Sequence, residues 1–316
     1  MADRPEYEEG LLALMAGVSD RLAAELGSRA PRLGEIVRHW TTGLSPGDRP
    51  EEYFTYPSAY PIFLLPWWLE RSLAPPDDPG FMADIVESTM CGYYHIRLLD
   101  DLMDGEATGE IGLLPAAGIF HERFQSSYQA HFPAEHPFWE IFRDEWFACA
   151  EATVLDHRLT EIDLPTFVDV SARKMRAALI PVAAVCLHHG RAALVDRWRP
   201  YCDLLARCVQ MTDDVFDWHL DLRRANGTTY FLSEARRRKR TTESISAWVL
   251  REGWEWGVSR TRDWLCELRG LASQLDCPPA ALHVERRLAT LDERHAALAP
   301  GHAALAQIAD GLERGT

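Results

Sequence analysis

Apolar residues along the chain recur mostly at intervals of three and four. Leu11, Leu14, Met15 and Val18 fall on one face of a 3.6-residue repeat, as do Leu204, Leu205, Cys208 and Met211. Sustained alternation with β-branched residues is scarce, so the pattern predicts helices rather than strands. Pro/Gly clusters break it at 44–50, 74–80, 104–110, 131–137, 188–190, 224–227 and 277–279. Long segments rich in Ala, Leu, Arg and Glu lie between these breaks. The expected architecture is all-α, a bundle of about ten helices around a central cavity. Thr166 to Leu187 reads as one long helix kinked at Pro181, which lacks a backbone donor. His188-His189 before Gly190 reads as a helix end rather than a metal site.

No Gly/Ser linker, low-complexity tract or internal repeat divides the 316 residues, so one domain over 1–316 is expected. Its motif-bearing core falls at about 55–250, with C-terminal helices over 241–316. A hydrophobic content of 47 % suffices for a large buried core. The formal charge of -15 opposes binding to polyphosphate backbones and anionic lipid surfaces, so no nucleic-acid partner is expected. The one dense basic run, Arg236 to Arg240, reads as a solvated face. Seven cysteines, an odd number with no CxxC pair, suggest neither a disulfide framework nor a zinc ribbon, and point to a reducing compartment. The start of the chain is acidic, and the longest apolar stretches, Tyr60 to Leu69 and Ile180 to Leu187, are too short to span a bilayer. A cytoplasmic protein is expected.

Two segments carry the candidate chemistry. Asp100-Asp101-Leu102-Met103-Asp104 and Asp213-Asp214-Val215-Phe216-Asp217 are both DDxxD, a coincidence that chance produces in roughly one such sequence in a hundred. At about 100° per residue the first and last acids lie about 40° apart and the second within about 100°, so all three carboxylates are expected on one helical flank. Apolar neighbours (Ile96, Leu98, Leu99; Cys208, Val209, Met211) imply that both helices are packed, with the acids at the rim of a cavity. Two like charges about 5 Å apart repel by roughly 3 kcal/mol at an effective dielectric near 20. Six converging carboxylates therefore call for bound cations. All-oxygen ligation without His or Cys suits Mg²⁺, which keeps several waters and shares its shell with substrate phosphates. The EF-hand spacing for Ca²⁺ is absent, as are HExxH, G-x-S-x-G, Walker and G-x-G-x-x-G signatures.

Two DDxxD clusters on an all-α chain of this length resemble the trans-prenyltransferases and class I terpene synthases of the isoprenoid synthase fold, over roughly residues 55–250. Gln210 stands three residues before Asp213, as in the family's Q-x-x-D-D, and Lys174 stands 39 residues before it, close to where a diphosphate-binding Lys-Thr step falls on a kinked helix. Met175 replaces that Thr. Arg223 and Arg224, ten and eleven residues after Asp213, take the place of a Lys that closes over the diphosphate, or form a plain surface pair beside Asp221. The resemblance implies that Asp100, Asp101, Asp104, Asp213, Asp214 and Asp217 serve Mg²⁺, with Asp214 as a ligand or a support. It also implies that Lys174, Gln210, Arg223 and Arg224 bind diphosphate. Tyr60, Phe63 and Trp67, in an aromatic run that also suits a core, are expected to wall a water-free pocket whose π-faces steady a carbocation. Tyr93, Tyr94, His95 and Ile96, one to two turns before Asp100, would by the same analogy line the prenyl tail.

Departures from the family bear on the reaction. Chain-elongating members carry GGKRxRP before the first cluster and RRG after it. YPSAYPIFLLPWW (56–68) and DGEATGE (104–110) stand there instead, with Arg71 and Arg97 as the nearby cations that could substitute. Without that acceptor site, the expectation is a terpene synthase, ionising a prenyl diphosphate and quenching the cation internally. The rival is a prenyltransferase that joins the cation to isopentenyl diphosphate or another acceptor. A non-catalytic partner subunit is a third reading, though it predicts eroded aspartates. A homodimer is the family's habit.

Overall fold

The computed structural model describes residues 6–56, 59–73, 78–103, 111–224 and 228–314. Among them are fourteen α-helices and no strand, so the all-α expectation holds. In chain order they are α1 (Glu9–Arg29), α2 (Pro31–Leu44), α3 (Leu64–Leu73), α4 (Pro79–Met103), α5 (Leu114–Ser126), α6 (Phe138–Arg158) and α7 (Leu164–Lys174). Then follow α8 (Leu179–His188), α9 (Val195–Phe216), α10 (Trp218–Asp221), α11 (Tyr230–Arg238), α12 (Ile245–Trp248), α13 (Trp254–Ala272) and α14 (Pro278–Arg314). No described helix is long and apolar enough to cross a membrane.

The chain forms two compact units. One comprises Met1–Thr153 and Arg176–Trp198, the other Val154–Met175 and Arg199–Thr316. Because the chain passes between them three times, their boundaries fall inside or beside helices and not in linkers, which is why composition marks no division. In the first unit, α1 buries Leu11, Met15, Val18, Leu22 and Leu26, a stripe at near-helical spacing. Helix α8 is buried from Leu179 through Cys186. An aromatic cluster joins several elements: Tyr94 of α4 packs against Trp40, Phe54 and Phe120, and Phe54 packs against Phe63. In the second unit the core runs through Leu205, Met211 and Val215 of α9, Phe231 and Leu232 of α11, and Leu265 of α13.

Local signals place the helix ends. Asp163 caps α7 by accepting from the Thr166 amide at 2.9 Å, Thr229 caps α11 through Leu232, and Ser244 caps α12 through Ala247. Gly190, at φ +64°, closes α8: its amide bonds Leu187 O, and the Arg191 amide bonds Cys186 O, a Schellman ending. The helix end expected at His188-His189 is thus present. The single kinked helix expected over Thr166 to Leu187 is instead two helices. Helix α7 stops at Lys174, a 3₁₀ turn covers Arg176–Ala178, and α8 begins at Leu179. Pro181 therefore sits in the first turn of α8, where an amide has no intrahelical partner to lose.

Candidate functional site

The second aspartate cluster occupies the C-terminal turn of α9, within the second unit. Cys208, Met211 and Val215 face its core, and Gly257 of α13 approaches so closely that a Cβ there would lie 2.5 Å from Val215 Cγ2. That contact fixes the rotation of α9. Asp213 and Asp217, four residues apart, are exposed on one flank, and Asp217 also precedes the first residue of α10. Asp221, at the end of α10, continues the four-residue spacing. The three acids sense one another. Crowding by protein, then Asp217, pushes the Asp213 carboxyl up to about 6, with a smaller contribution from Asp221, while Arg287 and Arg294 oppose the rise. Asp221 is raised as well, by burial first and also by Asp217, against Arg224.

Asp214 does not share that flank. One residue of helix rotates it about 100° onto the packed side, where it is 2 % exposed. Its Oδ1 accepts from Gln210 Nε2 at 2.8 Å, and its Oδ2 is buried with no close hydrogen-bond partner among the described residues. Burial pushes its pKa up to about 7, although Gln210 and the Phe231 backbone favour the charged form. The expectation of three carboxylates on one flank is therefore corrected: two point outward and the middle one inward. The side-chain amide of Gln210 is directed at Asp214.

Sequence reasoning did not single out three residues beside this cluster. Asp221 was signalled by the D-x₃-D-x₃-D spacing. Arg287 and Arg294 come from α14, more than 70 residues onward, and nothing local in the sequence marks them. The Arg294 guanidinium lies 3.9 Å from the ring centroid of Phe216, inside the motif itself. Arg223 and Arg224 are exposed after α10, and Arg224 lies 3.8 Å from Asp221. Lys174, in the same unit, is ion-paired with Asp156 at 2.6 Å.

The first cluster ends α4, in the first unit. Asp100 is half-buried and Asp101 buried; Asp104 lies outside the described residues. Arg97, one turn earlier, pairs with Asp101 Oδ1 at 2.8 Å, and its Nε is buried with no partner among the described residues. The predicted pocket residues of this unit are largely interior. Tyr60, Phe63, Trp67 and Tyr94 are buried, and Tyr93, His95 and Ile96 are half-buried. The Tyr93 hydroxyl hydrogen-bonds that of Tyr53, while the Tyr94 hydroxyl and Trp67 Nε1 are buried without partners among the described residues. His95 Nδ1 contacts Ala117 O at 2.8 Å, and burial lowers its pKa.

Among the described residues, no three His, Cys, Asp or Glu side chains gather closely enough to hold a metal ion on their own. Mg²⁺ does not need such a cage, since it commonly takes one or two carboxylates and completes its shell with water and phosphate. The donors at the second cluster, Asp213, Asp217 and Asp221, are all hard oxygens, which fits that ion and disfavours softer metals. No protein-family model matches the chain, and no curated protein matches it.

Proposed function

We propose that this chain is a class I isoprenoid synthase, a helical bundle with an apolar cavity that carries out Mg²⁺-dependent ionisation of an allylic prenyl diphosphate, most simply as a terpene synthase. The observation that carries the reading is the stripe of Asp213, Asp217 and Asp221 with Arg287 and Arg294 beside it. Desolvation first, and then the like charge of Asp217, pushes the Asp213 carboxyl up to about 6, and a bound divalent cation turns the cost of holding charged carboxylates there into affinity.

The residues divide the work. Asp213 and Asp217, with Asp221, hold Mg²⁺ at the second cluster, and Asp100, Asp101 and Asp104 hold it at the first. When bound, Mg²⁺ supplies Lewis-acid stabilisation of the departing diphosphate. Arg294 and Arg287 add fixed positive charge, and Arg223 and Arg224 close over diphosphate oxygens as bidentate donors. Asp214, with Gln210, anchors the turn that presents its two neighbours. Lys174 reaches the diphosphate by exchanging its present partner, Asp156. Tyr60, Phe63, Trp67, Tyr93, Tyr94, His95 and Ile96 keep water from the prenyl chain.

Internal quenching is favoured over chain elongation because the GGKRxRP and RRG acceptor motifs are missing. Arg71, which pairs with Glu8 at 3.3 Å and lies over the Trp67 ring, and Arg97, which pairs with Asp101, are the cations that could replace the missing acceptor motif. Both are engaged. The test is incubation with Mg²⁺ and geranyl, farnesyl or geranylgeranyl diphosphate, with and without isopentenyl diphosphate, followed by analysis of hydrocarbon and diphosphate products. A hydrocarbon from one allylic substrate alone supports the proposal. Longer diphosphates formed only with the partner substrate move it to prenyl transfer, and diphosphate binding without turnover moves it to a non-catalytic subunit.

A further inference from the structure

Three imidazoles that the reading above does not use meet in the first unit, around the wholly buried ring of Phe81. His188, in the last turn of α8, stacks on that ring with centroids 3.9 Å apart and planes 9° from parallel. His131, between α5 and α6, meets the same ring edge-on at 4.9 Å, and its centroid lies 6.1 Å from that of His188. The ring of His189 lies 5.3 Å from that of His188. Two of the three also tie separate elements together. Asp84 of α4 meets His131 Nε2 at 2.7 Å, and Glu70 of α3, only 2 % exposed, meets His189 Nε2 at 2.7 Å.

Those bonds leave His188 apart from its neighbours. Asp84 and Glu70 are engaged, and Asp78 caps α4 by accepting from the Phe81 amide at 3.1 Å. Among the described residues no carboxylate lies within ion-pair distance of His188. His131 and His189 can therefore take up protons with a bonded counterion beside them, whereas a charge on His188 would sit close to two like charges with none. The C-terminal dipole of α8 and the π-face of Phe81 both favour a charged ring. Crowding by protein and then His189 outweigh them and hold the His188 pKa below the ordinary histidine value; Glu70 opposes, His131 adds to the lowering and Asp78 opposes. The neutral ring is the one that fits.

We propose that this knot is an acid-released clasp: neutral His188 holds the C-terminal turn of α8 against the start of α4, and a proton on His188 lets that turn go. The device is independent of the chemistry proposed above. Because the fold prefers the uncharged ring, the clasp is complete above about pH 6.5, the ordinary histidine value, and loosens as pH falls below it. The amides of Gly190 and Arg191, bonded to Leu187 O at 3.0 Å and to Cys186 O at 2.7 Å, report on the turn that is released.

The experiment follows hydrogen exchange of those two amides in the full-length protein at pH 7.5, 6 and 5, corrected for the intrinsic pH dependence of exchange. The amides of Met15 to Leu22 in α1 are the reference within the same unit, and imidazole titrations are read from ¹⁵N spectra. In wild type, protection at Gly190 and Arg191 is expected to fall roughly tenfold between pH 7.5 and 5, the scale of a titration displaced by one pH unit, while α1 keeps its own. His188→Phe retains a ring against Phe81 and cannot charge, so its protection at pH 5 matches that at pH 7.5. His131→Gln keeps a donor to Asp84 and removes one neighbouring charge, so His188 takes up its proton at higher pH than in wild type, which decides the matter if the phenylalanine variant does not fold. Unchanged protection in wild type, an equal loss in His188→Phe, an equal loss in α1, or a His188 titration unmoved by His131→Gln overturns the inference.

Discussion

The side-chain amide of Gln210 donates to Oδ1 of Asp214 at 2.8 Å, one turn along α9, while Oδ2 of the same carboxyl is enclosed with no close partner among the described residues. A half-satisfied, buried carboxyl retains its proton more tightly than an aspartate in the unfolded chain. Its contribution to stability is therefore complete below about pH 4, the ordinary aspartate value, and is lost as pH rises toward about 7. Asp213 works in the same direction, but its exposure to solvent discounts it. Urea unfolding of the metal-free protein at pH 5 and pH 8 measures the effect. Asp214→Asn is expected to flatten the stability difference between these two pH values by up to about 2.5 kcal/mol; an unchanged difference would show that Asp214 is not the group responsible.

Gln210 donates to that carboxyl through its side-chain amide, so replacing it should hurt most where Asp214 is charged. Gln210→Leu is expected to destabilise the fold by about 1–3 kcal/mol at pH 8, the cost of leaving a buried acceptor unmade. The loss should shrink at pH 5. Equal losses at both pH values, read from the same urea curves, would point to packing and not to the hydrogen bond.

Asp213 and Asp217 carry the opposite expectation. Neutralising one relieves like-charge repulsion, so Asp213→Asn and Asp217→Asn should leave the apo protein as stable as wild type or slightly more so at pH 7.5. Turnover of an allylic diphosphate with Mg²⁺ should drop on the order of a hundredfold or more, as when one preorganised electrostatic contact is removed. Thermal melts with and without Mg²⁺ plus pyrophosphate check both halves. A destabilised apo protein with undiminished turnover would place these acids in the scaffold.

The helical class and the Asp213–Asp217 flank were legible because both depend on local spacing. Gly190 and the His pair before it likewise announced the end of α8. The inward turn of Asp214 was not legible: periodicity gives angles around an axis, but which angle is buried depends on the close approach of Gly257 and the side chain of Phe231. The break at Met175 leaves no local signal, whereas Pro181, six residues on, is compatible with the first turn of a new helix. The break is a tertiary adjustment with no breaker residue at the spot. Arg287 and Arg294 lay beyond reach since only the tertiary fold brings residues of α14 near the acids.

Arg294 has its guanidinium carbon 3.9 Å from the Phe216 ring centroid. Arg294→Ala should therefore cost about 1 kcal/mol of stability from the lost cation–π contact and weaken pyrophosphate binding about tenfold. Arg294→Lys should recover much of the stability but less of the binding, because it lacks the fork that meets two phosphate oxygens. Calorimetric titration alongside thermal melts separates the two effects. Binding unchanged in the alanine variant would leave Arg294 a purely structural contact.

Gly257 shows how closely α13 holds the cluster. A Cβ added there would sit 2.5 Å from Val215 Cγ2 and 2.9 Å from Phe231 Cε2, both side chains fixed in the core. Gly257→Ala gains helix propensity of about 1 kcal/mol, yet it must push α9 or α11 aside, which typically costs about 1–3 kcal/mol. The overpacking term should win, giving a net loss of stability. Since Val215 lies between Asp214 and Phe216, the displacement should also shift Asp213 and Asp217 and lower Mg²⁺-pyrophosphate affinity. Val215→Ala opens the space that the new methyl needs, so Gly257→Ala/Val215→Ala should bind better than Gly257→Ala alone, though its stability still lacks the valine methyls. If the double variant binds as poorly as the single one, the close contact at Val215 is not what sets the position of the acids.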